Sequence, residues 1–198
     1  MDLKSTYNKI AKDWHKNHQQ DDWWVEGVDK FISLLKQGSV VLDIGCGGGT
    51  KTKYLVNKGL KVFGIDFSEK MIGIAKREVP EADFLTMDLR DVNDLEENFD
   101  GIFVQAVLLH FPKKEIRDVL KKIINKLKDG GYLYIAVKET KSGQPEEEIK
   151  IENDYGYQYE RFFSYFMLEE LKNLFFDFKM KVVYENTING WIQIISRK

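Results

Sequence analysis

The residues best suited to chemistry begin with a glycine-rich run that follows a short apolar segment. Residues 40–42 are apolar, and Asp43 then precedes Gly45, Gly47 and Gly49. Glycine supplies positive φ angles and lets a ligand approach the backbone closely. A helix that starts after such a run points its first N–H groups at the same place. The run therefore predicts a ligand-binding loop between a buried strand and a helix.

Two further aspartates end the next two apolar segments. Asp66 ends segment 61–66, and Asp88 ends segment 82–88. In open α/β sheets, ligands bind outside the carboxyl ends of the strands. An ionised carboxylate has two acceptor oxygens and can bind a vicinal diol. One aspartate at a strand end can equally cap a helix or stabilise a turn, so the prediction depends on the ordered set of three.

The elements that would position these side chains alternate between strand and helix from residue 40 onward. Strands are expected at 40–45, 61–66, 82–88, 99–106 and 132–138, and helices at 50–58, 69–79, 91–97 and 113–128. We expect the last of these helices to end at Gly130-Gly131. This alternation is typical of a doubly wound, mostly parallel α/β sheet.

Both ends of the chain depart from this alternation. Two N-terminal helices, within 2–18 and 23–35, are expected to cover the sheet or to act as a lid. Residues 140–163 have no clear period and are expected to be a long loop. A helix at 168–178 and a hairpin through Asn189-Gly190 follow. We expect one domain over 1–198, with a cover at 1–38, a core at 40–139 and a substrate-side region at 140–198.

Composition excludes several classes of protein. The 198 residues carry a formal net charge of −2, which gives no overall electrostatic attraction to nucleic acid or to anionic membranes. Cys46 is the one cysteine, so no internal disulfide framework is possible. No apolar run is long enough to span a membrane, and the charged N-terminus does not resemble a signal peptide. We expect a cytoplasmic protein without a membrane partner or a metal site.

The order Asp-x-Gly-x-Gly-x-Gly resembles motif I of the class I S-adenosylmethionine (SAM) methyltransferases. A dinucleotide fingerprint would need glycine where Thr50 stands. The resemblance extends over residues 40–198: Phe99–Ala106 resembles motif IV, and the final hairpin resembles the reversed last strand of that family. It implies a Rossmann-like, mostly parallel seven-stranded sheet with a C-terminal antiparallel hairpin and an N-terminal helical cover. It also implies SAM as cofactor and S-adenosylhomocysteine (SAH) as product.

The resemblance also implies roles for the residues at the strand ends. The loop around Asp43 would lie against the amino acid part of SAM, and Asp66 would accept hydrogen bonds from both ribose hydroxyls. Nicotinamide enzymes use an acid at the same place, so Asp66 alone does not discriminate between the two classes. Asp88 would accept from the adenine amino group. The full set of expected cofactor-binding residues is Asp43, Gly45, Gly47, Gly49, Asp66, Phe67, Met87, Asp88, Leu89 and Gln105.

A general base is needed only if the methyl acceptor is protonated at working pH. His110 follows the fourth strand, where the mouth of the active site is expected, and a neutral imidazole there could take up a proton. His110 could instead cap the next helix or contact the backbone. The sequence leaves both roles open.

The acceptor side is expected to be aromatic. Tyr7 and Trp14 could close over the cofactor, as N-terminal helices do in similar small-molecule methyltransferases. Tyr159 and Arg161 lie in an aromatic segment that would suit a flat or carboxylate-bearing molecule, although the segment could equally be core packing. Glu139 could face the pocket or simply start the following loop.

These features predict methyl transfer to an O or N atom of a small molecule. The Asn-Pro-Pro-Tyr type of signature, which is associated with nucleic acid base methylation, is absent at residues 105–108, where Gln-Ala-Val-Leu stands. Together with the net charge, this argues against a nucleic acid substrate. Two alternatives stay open: a non-catalytic methyltransferase-like partner subunit and a nicotinamide-dependent oxidoreductase. The acceptor and the oligomeric state are not predicted.

Overall fold

Seven strands form one mixed sheet in the computed structural model, which describes residues 2–198. The strands of this sheet are β1 (Val40–Ile44), β2 (Lys61–Asp66), β3 (Asp83–Thr86), β4 (Phe99–Gln105), β5 (Leu127–Lys138), β8 (Lys181–Ile188) and β9 (Trp191–Arg197). Their order is β3-β2-β1-β4-β5-β9-β8. The first five are parallel, whereas β9 runs antiparallel to both β5 and β8. The predicted fold class is confirmed.

Helices cover both faces of the sheet because alternate residues of each strand point to opposite sides. On β4, Ile102 and Val104 share a buried cluster with the fifth and sixth helices, while Phe103 packs with Phe31 of the second helix. The six helices that the structure describes between residues 2 and 198 are α1 (Leu3–Asn17), α2 (Val25–Ser33), α3 (Thr50–Asn57), α4 (Glu69–Glu78), α5 (Lys113–Asn125) and α6 (Leu168–Asp177).

The hairpin between β8 and β9 turns where the sequence predicts. Asn189 and Gly190 both have positive φ, 52° and 74°, as a two-residue turn of this kind requires. The turn returns the chain beside β5, so that Trp191 pairs with Lys138 at the carboxyl end of that strand. The C-terminal hairpin thus contributes Trp191 to the end of the sheet where ligands are expected.

The expectation of a structureless loop over residues 140–163 is wrong. The chain forms a second, two-stranded sheet from β6 (Glu147–Glu152) and β7 (Tyr159–Ser164). Strand β6 has only two apolar residues, Ile149 and Ile151, and both point outward and are 58% and 66% exposed. Two alternating apolar residues are too few to predict a strand, for which alternation over about four to eight residues is needed.

Three smaller boundaries also differ from the prediction. The helix expected at 113–128 ends at Asn125, because Leu127 already pairs with Phe99 and begins β5. The third strand covers residues 83–86, and a short 3-10 turn covers 89–94 instead of a helix over 91–97. Within residues 2–198, no helix is both long and apolar enough to cross a membrane.

The hydroxyl of Tyr134 is a buried polar group in the core, and its effect on stability can be measured by substitution. Tyr134 is fully buried and stacks on Phe103, with ring centroids 4.7 Å apart. Its hydroxyl has no hydrogen-bond partner within the part of the chain that the structure describes. A buried hydroxyl without a partner costs free energy, whereas phenylalanine fills the same space without that cost.

We therefore expect Tyr134→Phe to leave the free energy of unfolding unchanged or to raise it by up to about 1 kcal/mol. Tyr134→Leu, which keeps an apolar side chain but loses the stacked ring, should lower it by about 1–3 kcal/mol. Urea denaturation of the three proteins measures both effects. A loss of stability in Tyr134→Phe would mean that the hydroxyl has a bonding partner after all.

Candidate functional site

A cavity of about 600 Å³ opens at the carboxyl ends of β1, β2 and β4. Asp43, Gly45, Gly47, Asp66 and Asp88 all line it. Pockets for drug-sized ligands measure roughly 300–1,000 Å³, so this one has room for a nucleoside-sized molecule and part of a second ligand. The three aspartates that end successive strands in the sequence therefore meet at one cavity.

The glycine-rich loop after β1 is held in a conformation that side chains disfavour. Gly45 and Gly47 have φ of +69° and +54°, and a Cβ on Gly45 would lie 2.3 Å from Val107 Cγ2. Gly49 also has positive φ, but it caps α3 and packs against Ala75 and does not line the cavity. The structure therefore places Gly49 outside the lining of the cavity, in close packing against α4.

Asp43 lies beneath this loop and is 2% exposed. Its Oδ2 atom accepts a hydrogen bond from the Thr52 hydroxyl at 2.6 Å. Burial raises the pKa of Asp43 to about 7, against the opposing effects of Thr52 and of the Lys51 charge. Lys51 itself lines the cavity, and burial lowers its pKa. Lys51 is not among the residues expected at the site, and its position at the start of α3 is the sequence signal that could have found it.

Asp66 connects the loop to the end of β2. Its two carboxylate oxygens accept hydrogen bonds from the Gly47 N–H at 3.0 Å and from the Ser68 N–H at 2.8 Å. Burial raises the pKa of Asp66 to about 6, and the two N–H groups oppose that rise. A carboxylate has about four acceptor positions, so each oxygen retains one for a ligand.

Asp88 both lines the cavity and caps a turn, which are the two roles that the sequence leaves open for an aspartate at a strand end. It lines the cavity, and its Oδ1 atom accepts a hydrogen bond from the Arg90 N–H at 2.8 Å, which caps the 3-10 turn at residues 89–94. The Arg90 side chain returns to Asp88 at 3.4 Å and also pairs with Glu115. Met87, Leu89, Phe67 and Gln105 also line the cavity, and the Gln105 Oε1 atom is buried without a hydrogen-bond partner among residues 2–198.

At the other end of the cavity, Tyr7 of α1 contacts His110 after β4. The Tyr7 Oη atom lies 2.7 Å from His110 Nε2, and His110 Nδ1 lies 2.7 Å from the Phe162 carbonyl oxygen. A carbonyl only accepts, so Nδ1 carries the proton and Nε2 accepts from the Tyr7 hydroxyl. Burial lowers the pKa of His110 to about 3, with a smaller contribution from the Arg161 and Lys138 charges. His110 is therefore neutral near pH 7.

Arg161 of β7 completes this contact from the opposite side. Its Nη1 atom donates to Tyr7 Oη at 3.3 Å, while Nε and Nη2 donate to the two oxygens of Glu152 at 2.5 and 2.6 Å. The guanidinium is thus neutralised by a bidentate carboxylate. Tyr7, His110 and Arg161 were predicted separately, and the fold brings all three to one wall of the cavity.

Helix α1 closes this wall through contacts at several points. The Asn8 Oδ1 atom accepts from the Ser68 hydroxyl at 2.7 Å, and Lys4 pairs with Glu69 at 2.5 Å. Trp14 lines the cavity as predicted and stacks on His18 with ring centroids 4.2 Å apart. The N-terminal helix therefore lies directly over the cavity and forms part of its lining.

Two predicted acceptor-side residues lie elsewhere. Tyr159 does not line the cavity: its hydroxyl donates to Asp154 at 2.9 Å and its ring stacks on Tyr155. Glu139 borders a separate cavity of about 210 Å³ and pairs through its backbone with Phe166. Lys138, directly before it, lines the large cavity instead. A lysine at the end of the apolar strand β5 is a signal that the sequence analysis did not use.

Comparison with known proteins matches residues 41–131 to a family described as a methyltransferase domain. This match covers the loop, the three aspartates and His110. Together with the sheet order and the ordered motifs, it identifies this region of the chain as a class I SAM-dependent methyltransferase domain.

The names of related proteins state different methyl acceptors. Ubiquinone biosynthesis O-methyltransferase from Dechloromonas aromatica is 30% identical over 117 residues, which are 57% of this chain and 49% of that protein. The tRNA (carboxymethyluridine(34)-5-O)-methyltransferase of Saccharomyces cerevisiae is 31% identical over 135 residues, 67% of this chain and 46% of that protein. The chain spans about half of the length of these relatives.

A solved structure shows the same fold over almost the whole chain. The 1,6-didemethyltoxoflavin-N1-methyltransferase of Burkholderia thailandensis, solved with 1,6-didemethyltoxoflavin and SAH, superposes with a TM-score of 0.76 at 20% identity. The superposition covers 99% of this chain and 87% of that protein. The N-terminal helices and the β6–β7 hairpin therefore belong to the matched architecture as well as the sheet.

The neutral state of His110 predicts a pH-dependent stability. The pKa of His110 is lowered from the ordinary 6.5 to about 3. Between these pH values, His110 is therefore protonated in the unfolded chain and neutral in the folded protein. The stability due to His110 is therefore complete above pH 6.5 and is lost as the pH falls. Between pH 7 and pH 5, the difference in unfolding free energy between wild type and His110→Gln should shrink by about 2 kcal/mol.

Denaturation of both proteins at pH 7, 6 and 5 measures this change. The raised pKa values of Asp43 and Asp66 act in the opposite direction, but they act in both proteins and cancel in the difference. A difference that stays constant over this range would show that His110 does not titrate as its surroundings require.

Proposed function

We propose that this protein transfers a methyl group from SAM to an O or N atom of a small molecule by in-line displacement. The observation that carries the proposal is the convergence of Asp43, Asp66 and Asp88, each at the end of a strand, on one cavity with the glycine-rich loop. The opposite wall of the same cavity carries Tyr7 and His110, which leaves space between the two walls for an acceptor.

The cavity fits the cofactor in two respects. The positive-φ glycines expose backbone at the loop, and a side chain at Gly45 would collide with Val107. The Gln105 Oε1 atom is buried without a partner and faces the cavity from the end of β4, where a ligand donor would satisfy it. We assign the amino acid part of SAM to the Asp43–Gly47 side, the ribose to Asp66 and the adenine to Asp88, with Met87 and Leu89 along the ring.

SAM supplies a methyl group on a positively charged sulfur, so the protein needs mainly to position the acceptor and exclude water. Helix α1 covers the cavity and excludes water through Tyr7 and Trp14. If the acceptor is protonated, its proton passes to Tyr7 Oη while the Tyr7 proton moves to His110 Nε2, 2.7 Å away. His110 then acts through Tyr7, since its Nε2 atom is occupied by the tyrosine hydroxyl.

A small-molecule acceptor is favoured over nucleic acid. The net charge of −2 gives no overall attraction to a polyanion, and α1 and the β6–β7 hairpin cover part of the cavity. The name of the ubiquinone relative states a small-molecule pathway, whereas that of the yeast relative states tRNA. A transfer RNA fraction therefore belongs among the acceptors to be tested.

The cofactor is tested first by thermal unfolding with SAM, SAH, NAD and NADP. A ligand at 100 times its dissociation constant stabilises the fold by about 2.7 kcal/mol, which is a shift of several degrees for a chain of this size. We expect a shift with SAM and SAH only. A shift with a nicotinamide cofactor alone would favour an oxidoreductase, and no shift with any of the four would favour a partner subunit.

The ribose assignment predicts the effect of Asp66→Ala. Loss of charged hydrogen bonds should weaken SAH binding by about 1–3 kcal/mol in titration calorimetry. Asp94→Ala is the matched control, because Asp94 is exposed at the end of the 3-10 turn and does not line the cavity. Since Asp66 also holds the Gly47 N–H, thermal unfolding of the free variant checks the fold. Unchanged SAH affinity in a folded Asp66→Ala protein would refute the assignment.

A further inference from the structure

Lys138 is a cation in the cavity wall that no carboxylate balances. It ends β5 and lines both the large cavity and the smaller one beside it. Within residues 2–198 its Nζ atom takes part in no hydrogen bond or ion pair, and its polar contacts are with aromatic faces. The Nζ atom lies 4.6 Å from the centroid of the Phe163 ring and 5.8 Å from that of Trp191.

The two neighbouring cations are balanced. Arg161 is held by both oxygens of Glu152, and Lys150 pairs with Glu148 at 3.3 Å. All three cations lie near one ring, because the guanidinium of Arg161 is 5.0 Å and Lys150 Nζ is 5.7 Å from the centroid of Phe163. Three positive charges therefore face two negative ones, and Lys138 carries the excess.

The unpaired positive charge of Lys138 is unfavourable when no ligand is bound. Burial lowers the pKa of Lys138, and the positive charges of Lys150, Arg161 and Lys141 lower it further, against the smaller opposing effect of Glu152, which is already paired with Arg161. A partly buried charge without a partner is unfavourable unless a ligand supplies the opposite charge. Glu139, the next residue, borders the smaller cavity and forms no ion pair with Lys138 among the residues described. An anion that enters the large cavity can supply the missing charge.

The surroundings also indicate what the rest of such a ligand is. Phe163 and Trp191 line the cavity on either side of Lys138, and Trp191 is fixed by stacking on Trp23 at 4.3 Å. The His110 ring lies 5.2 Å from Phe163, so the Tyr7–His110 pair is adjacent to the same apolar surface. A flat molecule that enters the cavity beside Lys138 and Trp191 can thus reach Lys138 with one end and the Tyr7–His110 pair with the other.

Building on the proposed function, we propose that the methyl acceptor is a flat molecule with an oxyanion, a carboxylate or a phosphate, that pairs with Lys138. Its apolar body packs against the half-buried Trp191, and its methyl-accepting atom lies toward Tyr7. The sequence points to Arg161 as the residue for a carboxylate. Because Glu152 already neutralises Arg161, the structure assigns this recognition to Lys138 instead.

Anion recognition can be tested without knowledge of the acceptor, using three probes of similar shape. Benzoate carries a carboxylate, phenyl phosphate carries a phosphate, and benzamide is neutral. Each is titrated into wild type by calorimetry, with and without saturating SAH. We expect at least one anionic probe to bind about tenfold or more tightly than benzamide, the scale of one charged hydrogen bond. The stronger of the two anions indicates which oxyanion the acceptor carries.

Variants then locate the site. Lys138→Met should abolish the preference for the anionic probe, and Lys138→Arg should retain most of it. Lys150→Met is the matched control: it removes a cation near the same ring, but that cation is paired with Glu148, so the preference should change by no more than about threefold. Thermal unfolding of each variant checks that it is folded.

Three results would overturn the proposal: equal binding of the three probes by wild type, no millimolar binding of either anion, or an unchanged preference in folded Lys138→Met. The proposed function is judged separately by SAH. If SAH fails to bind while benzoate or phenyl phosphate binds through Lys138, the methyltransferase proposal fails and the anion site stands. If SAH binds and neither anion does, the methyltransferase proposal stands and the anion-site proposal fails.

Discussion

The hydrogen bonds of the Asp66 carboxylate hold the cofactor end of the site together. This side chain joins the Gly47 N–H of the loop to the Ser68 N–H at the start of α4, while the Ile65 carbonyl accepts from the backbone of Gly45 and Cys46. The loop has little side-chain packing of its own, so these bonds set its conformation. Their cost is the burial of a charge, which raises the pKa of Asp66 to about 6.

The acceptor end is built differently, from segments far apart in the chain. Tyr7 comes from α1, His110 from the turn after β4, and Arg161 with its partner Glu152 from the β6–β7 hairpin. The hairpin also receives hydrogen bonds from α1, since Thr6 donates to the Glu160 carbonyl. A change in the β6–β7 hairpin would therefore reshape the acceptor end and leave the loop and Asp66 in place. This separation is consistent with one fold that serves relatives whose names state different acceptors.

The same division explains what the sequence could predict. Asp43, Asp66 and Asp88 are found because each depends on a local pattern, an apolar strand followed by an acid. The pairing of Arg161 with Glu152 and the solitary state of Lys138 depend on contacts with the β6–β7 hairpin, whose strands carry too short an apolar alternation to be recognised in the sequence. The sequence leaves open whether Glu139 faces the pocket, because residues that follow one another on a strand point to opposite sides, and only the fold shows that Lys138 is on the side of the large cavity.

The charges of the two ends complement the proposed reactants. Asp43, Asp66 and Asp88 line one end, and Lys138 and Arg161 line the other. A positively charged cofactor is favoured at the acidic end and an oxyanion at the basic end. Between them, a His110 with a pKa of about 3 stays neutral and adds no third positive charge beside Arg161. Burial makes His110 a weak base, so it stays neutral until methyl transfer makes the acceptor's proton acidic, and no imidazolium repels the sulfonium before that point.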